Sequence, residues 1–213
     1  MLIIGNNCGA AEIYKTLNIS YNHPFMWSLL FPRDMFILIE QFNHINYGHI
    51  KPVLLTQDIA NSNSYPLDGI LSPNMISGLT IDNKCTVYYP HYIYSASHHE
   101  PLVDGINVYY NKNYEYAFFK YMCRIKRMIC CNEPPKFFII AYEQHGWTKQ
   151  CVSDLIHLNT DYPILCITDN MHLDIRANVT ILTDATLNSN GRLAPGEILA
   201  KHQDSIMQWV NSH

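Results

Sequence analysis

Near the end of the chain, short apolar segments alternate with amphipathic ones, and this alternation restricts the fold more than any other feature. We predict strands at residues 137–142, 164–168 and 179–182, with helices after Thr148 and from Pro195 onward. Apolar strands that alternate with helices are typical of a parallel sheet covered on both faces. The pattern predicts an α/β fold with a mainly parallel central sheet, helices on both faces and a Rossmann-like three-layer arrangement.

The first residues predict another strand of this sheet and a sharp turn after it. Residues 2–4 are apolar, and Gly5, Asn6 and Asn7 follow, residue types that tolerate positive φ. Apolar residues then recur at helical spacing from position 10. Cys8 is therefore expected between a strand and a helix, close to the helix N-terminus.

A cysteine at the N-terminus of a helix can act as a nucleophile. Backbone N–H groups and the helix dipole favour an anion there, so we expect the pKa of Cys8 to be lowered and its thiolate to act as a nucleophile. Backbone N–H groups around Gly9, with the amide of Asn6 or Asn7, can form an oxyanion hole. The alternative is that Cys8 is an inert packing residue, as most cysteines are.

A histidine follows the predicted strand at residues 85–89. Because the carboxyl ends of parallel strands share one edge of a sheet, we expect His91 to lie near Cys8 and to act as its base. The alternative is a histidine that caps the strand or borders the core. The group that orients His91 is left open between Asp68 and Asp104.

A helix predicted at residues 114–129 carries a basic stripe formed by Lys120, Arg124 and Arg127. Such a stripe is usually a solvated helix face. It can also bind a phosphate or another anion, in which case it should face the same cleft as Cys8.

Composition narrows the class of protein. A chain of 213 residues is expected to form a single domain, residues 1–213, and a net charge of −4 argues against a nucleic-acid partner. The seven cysteines are an odd number without a Cys-x-x-Cys pair, which predicts reduced thiols, a cytoplasmic location and no metal site. We expect neither a signal peptide nor a membrane span. The oligomeric state is left open.

The order of several short motifs resembles a known group of bacterial proteins. The motifs are Asn-Asn-Cys-Gly at 6–9, Pro-Phe-Met-Trp at 24–27, Tyr-Pro-His-Tyr at 89–92 and the basic helix before the strand at 137–140. They resemble proteins labelled as exopolysaccharide-biosynthesis proteins over residues 1 to about 170. They are also similar to proteins labelled as papain-like cysteine peptidases and to capsule-synthesis acetyltransferase-like proteins.

The resemblance implies acyl transfer or thiol-dependent hydrolysis on a cell-surface or exopolysaccharide precursor. Cys8 and His91 would be the catalytic residues, and coenzyme A thioester would be the acyl donor. Asn6, Asn7, Gly9 and Tyr92 would bind the substrate, a small molecule or a glycan. We place the acyltransferase interpretation above the peptidase one, because the α/β alternation is unlike a papain fold. The alternative is a non-catalytic module that binds a sugar or a nucleotide in glycan biosynthesis.

Overall fold

A computed structural model describes residues 1–19, 23–26, 28–56, 75–88, 119, 121–130, 132–169, 178–188 and 194–212. The elements in chain order are β1 (Leu2–Gly5), α1 (Gly9–Thr16), α2 (Pro32–Gln41), β2 (Ile50–Thr56), β3 (Met75–Ile81), β4 (Cys85–Tyr88), α3 (residues 121–130), β5 (Pro135–Ile140), α4 (Lys149–His157), β6 (Ile164–Thr168), β7 (Val179–Thr183), α5 (Pro195–Lys201) and α6 (Gln203–Ser212). Every helix in these residues is too short or too polar to cross a bilayer.

The strands form two sheets. The larger has the order β1-β5-β6-β7, and each neighbouring pair is parallel. The smaller is an antiparallel meander of β2, β3 and β4. The prediction of an α/β fold with a mainly parallel sheet is confirmed.

The prediction that residues 85–89 belong to the parallel sheet is wrong, because β4 is in the meander. Asp82 and Asn83 adopt left-handed φ values of 54° and 52°, and the N–H of Lys84 donates to the carbonyl of Ile81 at 2.9 Å. This tight turn joins β3 to β4 as an antiparallel hairpin. A parallel neighbour would instead require a long crossover connection.

Two hydrophobic clusters use alternate residues of the parallel strands. Ile3, Phe138 and Leu165 pack with Ile13 of α1 and Ile198 of α5. The intervening residues of the same strands pack with residues of α2, α3 and α4 and with the meander, among them Ile4, Phe137, Ile139, Leu38, Ile125, Leu155 and Leu79. Because side chains alternate across a strand, α1 and α4 lie against opposite faces of the parallel sheet.

Residues 28–30 connect the two sheets. The backbone of Leu29 exchanges two hydrogen bonds with Tyr88 at the end of β4, at 2.8 and 3.1 Å. The next N–H, that of Leu30, donates to the carbonyl of Asn6 just after β1, at 2.9 Å. The end of the meander is therefore held beside the carboxyl end of β1.

The outer edge of β1 is closed by a side chain. The Tyr14 hydroxyl of α1 accepts from the N–H of Ile3 at 2.9 Å and donates to the carbonyl of Met1 at 3.0 Å. Both Tyr14 and Ile3 are buried. The hydroxyl thus satisfies backbone groups that an edge strand would otherwise expose to other chains.

The C-terminal segment forms two helices where we predicted one. The break falls at His202, whose Nε2 lies 3.0 Å from Oδ2 of Asp184, while Lys201 pairs with Oδ1 at 2.7 Å. Burial opposes the charge of Asp184, yet hydrogen bonds from Lys201, Thr186 and His202 hold the pKa of this carboxyl well below its usual range. These contacts fasten the end of β7 to the junction of α5 and α6. The two helices bury the same kind of apolar face against the sheet, formed by Ile198, Leu199, Ile206, Trp209 and Val210.

The edge contact of Tyr14 gives a stability prediction. Tyr14→Phe leaves the buried N–H of Ile3 without its acceptor, so we expect a loss of about 1–3 kcal/mol in the free energy of unfolding. Urea titration measures this. Tyr162→Phe is the control, because its hydroxyl accepts from the exposed amide of Asn43, which water can satisfy instead. Equal stability of the two variants would contradict the edge role of Tyr14.

Two buried side chains, His23 and Asp34, have shifted pKa values. As pH falls, the two shifts change the free energy of unfolding in opposite directions. Burial, with the nearby charge of Arg124, lowers the pKa of His23 from 6.5 to about 3. Burial raises the pKa of Asp34 from 3.8 to about 6, against the hydrogen bond of 2.8 Å that its Oδ1 accepts from the N–H of Thr86. As pH falls from 6 to 4, His23 becomes protonated in the unfolded state and stays neutral in the folded state. This difference stabilises the unfolded state and so destabilises the fold. Over the same range the folded state protonates Asp34 first, which stabilises it.

We therefore expect these two contributions to cancel largely between pH 6 and pH 4. His23→Asn keeps an acceptor for the N–H of Phe25, and it should make the fold relatively more stable at pH 4 than at pH 6. Asp34→Asn keeps an acceptor for Thr86 and should have the opposite slope. Each contribution is about 2 kcal/mol over this range, at roughly 1.4 kcal/mol per proton and pH unit. Denaturant titrations at both pH values test it, and parallel pH profiles for the two variants would refute it.

Candidate functional site

The candidate site lies at the carboxyl ends of two adjacent strands, β1 and β5. The loops that follow these strands lead to helices on different faces of the sheet. The loop after β1 leads to α1 on one face of the sheet, and the loop after β5 leads to α4 on the other. Where neighbouring connections leave toward opposite faces, a crevice opens outside the strand ends, and α/β proteins bind ligands in such crevices. Cys8 is in the first of these loops.

Glycines let α1 begin directly on the sheet. A Cβ at Gly9 would lie 2.6 Å from Cε1 of Phe138 and 2.9 Å from Cδ1 of Ile140. A Cβ at Gly5 would lie 2.8 Å from Cβ of Ala10. Side chains at these positions would push the helix away from β5. The two glycines thus fix the height of Cys8 above the strand ends.

Asn6 is fully buried, and its side chain extends the sheet. Its Nδ2 donates to the carbonyl of Ile140 at 3.0 Å, and its Oδ1 accepts from the N–H of the same residue at 3.0 Å. Its backbone N–H donates to Phe138 at 3.2 Å. The amide that we expected to serve a substrate is therefore engaged with β5, because it takes the place of one more peptide group of the strand.

Asn7 differs from its neighbour. Its Oδ1 accepts from the N–H of Gly9 at 2.9 Å, which caps the first turn of α1. The residue is only 4% exposed, and its Nδ2 has no hydrogen-bond partner among the described residues. The N–H of Gly9 is thus already used. Of the two side-chain amides predicted for an oxyanion hole, that of Asn7 keeps a donor that the described residues leave unsatisfied.

Cys8 occupies the predicted position but not the predicted ionisation state. It is the residue immediately before α1, with φ −63° and ψ −9°, and its carbonyl accepts from the N–H of Glu12 at 3.2 Å. Burial, with the carboxylate of Glu12 one turn away, raises the pKa of the thiol to about 11. The expected lowering does not occur, because loss of hydration and a like charge outweigh the backbone hydrogen bond that favours the thiolate. At neutral pH the group is a thiol.

His91 and Tyr92 lie outside the described residues, as do Asp68 and Asp104. What the structure does describe is the start of the segment that carries His91. The backbone of Tyr88 pairs with Leu29, and the next residue, Leu30, donates to the carbonyl of Asn6, two residues before Cys8. The end of β4, three positions before His91 in the sequence, is therefore tied to the turn that carries Cys8.

The basic stripe does not form one surface. Arg124 is buried, and its charge lies near His23, whereas Arg127 is exposed and Lys120 lies outside the described residues. The interpretation as a solvated face is wrong for Arg124. Its helix turns that side toward the core, where Tyr121 and Ile125 are also buried. The two described arginines therefore differ in their surroundings, because Arg124 is turned toward the core and Arg127 toward solvent.

The loop after β5 contributes polar residues that sequence analysis did not single out. His145 is buried against the ring of Tyr142, with ring centroids 5.3 Å apart, and its Nε2 lies 3.1 Å from Nε2 of Gln144. The signal was present in the run Glu-Gln-His directly after an apolar strand. The loop after β5 therefore places a histidine and an amide just beyond the end of that strand.

A third strand end is tied to the same loop. Asn188 accepts from the N–H of Glu143 at 3.0 Å and donates to Oδ2 of Asp169, just after β6, at 3.1 Å. Across the described ranges, no group of three or more potential ligands is arranged to hold a metal ion.

Two comparisons with known proteins found no match for this chain. No protein-family model matches the chain, and no curated protein matches it significantly.

Proposed function

We propose that the protein catalyses cysteine-dependent acyl transfer, with Cys8 as the nucleophile. The observation that carries this proposal is the position of Cys8 between the end of β1 and the start of α1, beside Asn7, a buried amide that has a hydrogen-bond donor to spare. The resemblance to exopolysaccharide-biosynthesis proteins suggests a surface-polysaccharide precursor as the acceptor and the cytoplasm as the location. We also propose that residues 1–213 form one Rossmann-like three-layer domain.

The thiol needs a base, because the pKa of Cys8 is raised to about 11 in the ligand-free protein. We assign this role to His91. In the proposed reaction His91 takes the thiol proton while the sulfur attacks the carbonyl carbon and forms a thioester. The leaving group departs with that proton, and the acceptor hydroxyl then attacks the thioester and regenerates the thiol. The hydrogen bonds that tie the end of β4 to the turn of Cys8 support this pairing.

Coenzyme A thioester, the donor that the resemblance implies, finds no support in the described residues. Its phosphates require a cluster of cationic side chains. Arg124 is buried beside His23 and Arg127 is exposed. Because one of these two arginines is buried and the other exposed, they form no cationic cluster on one surface, and we derive no step from this donor.

A second candidate, the non-catalytic module that binds a sugar or a nucleotide, is favoured by one observation. A thiol with a pKa of about 11 is inert at neutral pH unless a base activates it. In that case the crevice would bind its ligand through neutral hydrogen-bonding groups, and Cys8 would only pack against the sheet.

Alkylation by iodoacetamide separates the two functions. If His91 activates Cys8, labelling of Cys8 in the native protein should have a component near neutral pH in addition to the rise toward pH 11. His91→Ala should remove the neutral component and keep the alkaline one. Mass spectrometry of digested protein gives the rate at each cysteine. Cys85 and Cys166 are internal controls, because burial raises the pKa of each to about 12.

His98→Ala is the matched variant, since it removes an imidazole from the same stretch of sequence. It should leave the labelling profile of Cys8 unchanged. A native protein in which Cys8 reacts only above about pH 10, with no effect of His91→Ala, would refute the catalytic proposal and leave the binding module.

A further inference from the structure

The side chain of Asn7 is buried, and its amide nitrogen lacks an acceptor among the described residues. Together these two properties lower the stability of the fold. Asn7 is 4% exposed, and Nδ2 makes no hydrogen bond with any described residue. A buried donor without an acceptor costs about 1–3 kcal/mol, so stability alone does not explain an asparagine at this position. It is also the only side-chain amide nitrogen in this state within the described part of the chain.

The orientation of this amide is fixed. Oδ1 accepts from the N–H of Gly9, the first residue of α1, so the amide plane is held against the start of the helix. Nδ2 shares the amide carbon with Oδ1 and therefore sits at the same helix N-terminus, one residue from Cys8. Gly9 cannot carry a side chain that would cover it, because a Cβ there would come within 3.1 Å of Oδ1 of Asn7.

A second asparagine in the chain makes the same turn without this feature. Oδ1 of Asn46 accepts from the N–H of Gly48 at 3.1 Å, the same spacing of two residues, but Asn46 is exposed. Its Nδ2 can therefore bind water. The turn itself requires only the acceptor oxygen, so the buried donor of Asn7 is a property of the crevice and not of the turn.

We propose that Nδ2 of Asn7 is the oxyanion donor of the site and binds the carbonyl oxygen of the acyl group that Cys8 attacks. This inference rests on the proposed function. It assigns the substrate to the class of carbonyl compounds that react through a tetrahedral intermediate, such as esters and thioesters. Asn7 is then a catalytic residue, whereas Asn6 is a structural one.

Attack of Cys8 on the acyl group moves one proton and exchanges one bond for another. The thiol proton passes to the base, the sulfur forms a bond to the carbonyl carbon, and the π electrons of the carbonyl move to its oxygen. Asn7 donates to that oxygen while it is negative. The carbonyl then re-forms, the bond to the leaving group breaks, and the leaving group carries away the electron pair. Removal of one such donor typically slows acylation by about 100- to 1,000-fold.

Two reagents distinguish oxyanion stabilisation from general reactivity of the thiol. Acetylation of Cys8 by p-nitrophenyl acetate passes through a tetrahedral oxyanion, and alkylation by iodoacetamide does not. Both rates scale with the thiolate population, so their ratio cancels any change in the pKa of Cys8. Mass spectrometry assigns each modification to its residue, and Cys8→Ser provides the blank.

The variants are Asn7→Asp and Asn7→Ser. Both keep an oxygen that can accept from Gly9, and both remove the amide donor, one with an added charge and one without. Asn46→Asp is the matched control at the exposed turn. We expect the ratio of acetylation to alkylation to fall about 100-fold or more in both Asn7 variants and to stay unchanged in Asn46→Asp.

The outcomes separate the two proposals. If wild-type Cys8 is acetylated and the ratio is the same in the Asn7 variants, then Asn7 is not the oxyanion donor, and the proposed function stands without it. If wild-type Cys8 is alkylated but never acetylated, the proposed acyl transfer fails and the assignment of Asn7 fails with it. Should Asn7→Asp not fold, Asn7→Ser alone decides the question.

Discussion

Asn6 connects every part of the chain that borders the candidate site. Its side-chain amide exchanges two hydrogen bonds with Ile140, its N–H joins β5, and its carbonyl accepts from Leu30. Leu30 in turn follows the residue that pairs with β4. One buried residue thereby sets the distance between the turn of Cys8, the loop after β5 and the end of the meander. Because an amide has two donors and one acceptor oxygen in fixed geometry, no apolar side chain could replace it.

Local patterns were sufficient for the parallel sheet. Strands β5, β6 and β7 are continuous apolar runs, and Thr148 and Pro195 mark the starts of α4 and α5 as expected. The meander was harder to predict, because which strands pair with each other depends on residues that are far apart in the sequence. β3 was missed, and its Gly78 weakens any strand pattern. A Cβ at Gly78 would lie 2.7 Å from Tyr88, so the glycine is required by a strand that the local sequence does not identify.

The candidate site shows a similar division. The position of Cys8 followed from residues 2–10, because a strand, a turn and a helix are local features. Its pKa did not, since burial depends on groups brought in from distant parts of the chain. Asn6 and Asn7 are indistinguishable in sequence, and only the position of Ile140 separates a structural amide from one with a donor to spare. Arg124 was misassigned because helical spacing identifies a stripe but not the side that faces the core.

The pairing of β1 with β5 also has a consequence for folding. The hydrogen bonds of Asn6 join residues 134 positions apart, and closing a loop of that length costs about 4 kcal/mol in chain entropy. Contacts this distant in sequence slow folding, because the entropy of loop closure is lost before the contacts can stabilise the chain. During synthesis the first strand must wait for most of the polypeptide before its partner exists. Cys8, two residues after Asn6, thus acquires these surroundings only after β5 has been synthesised.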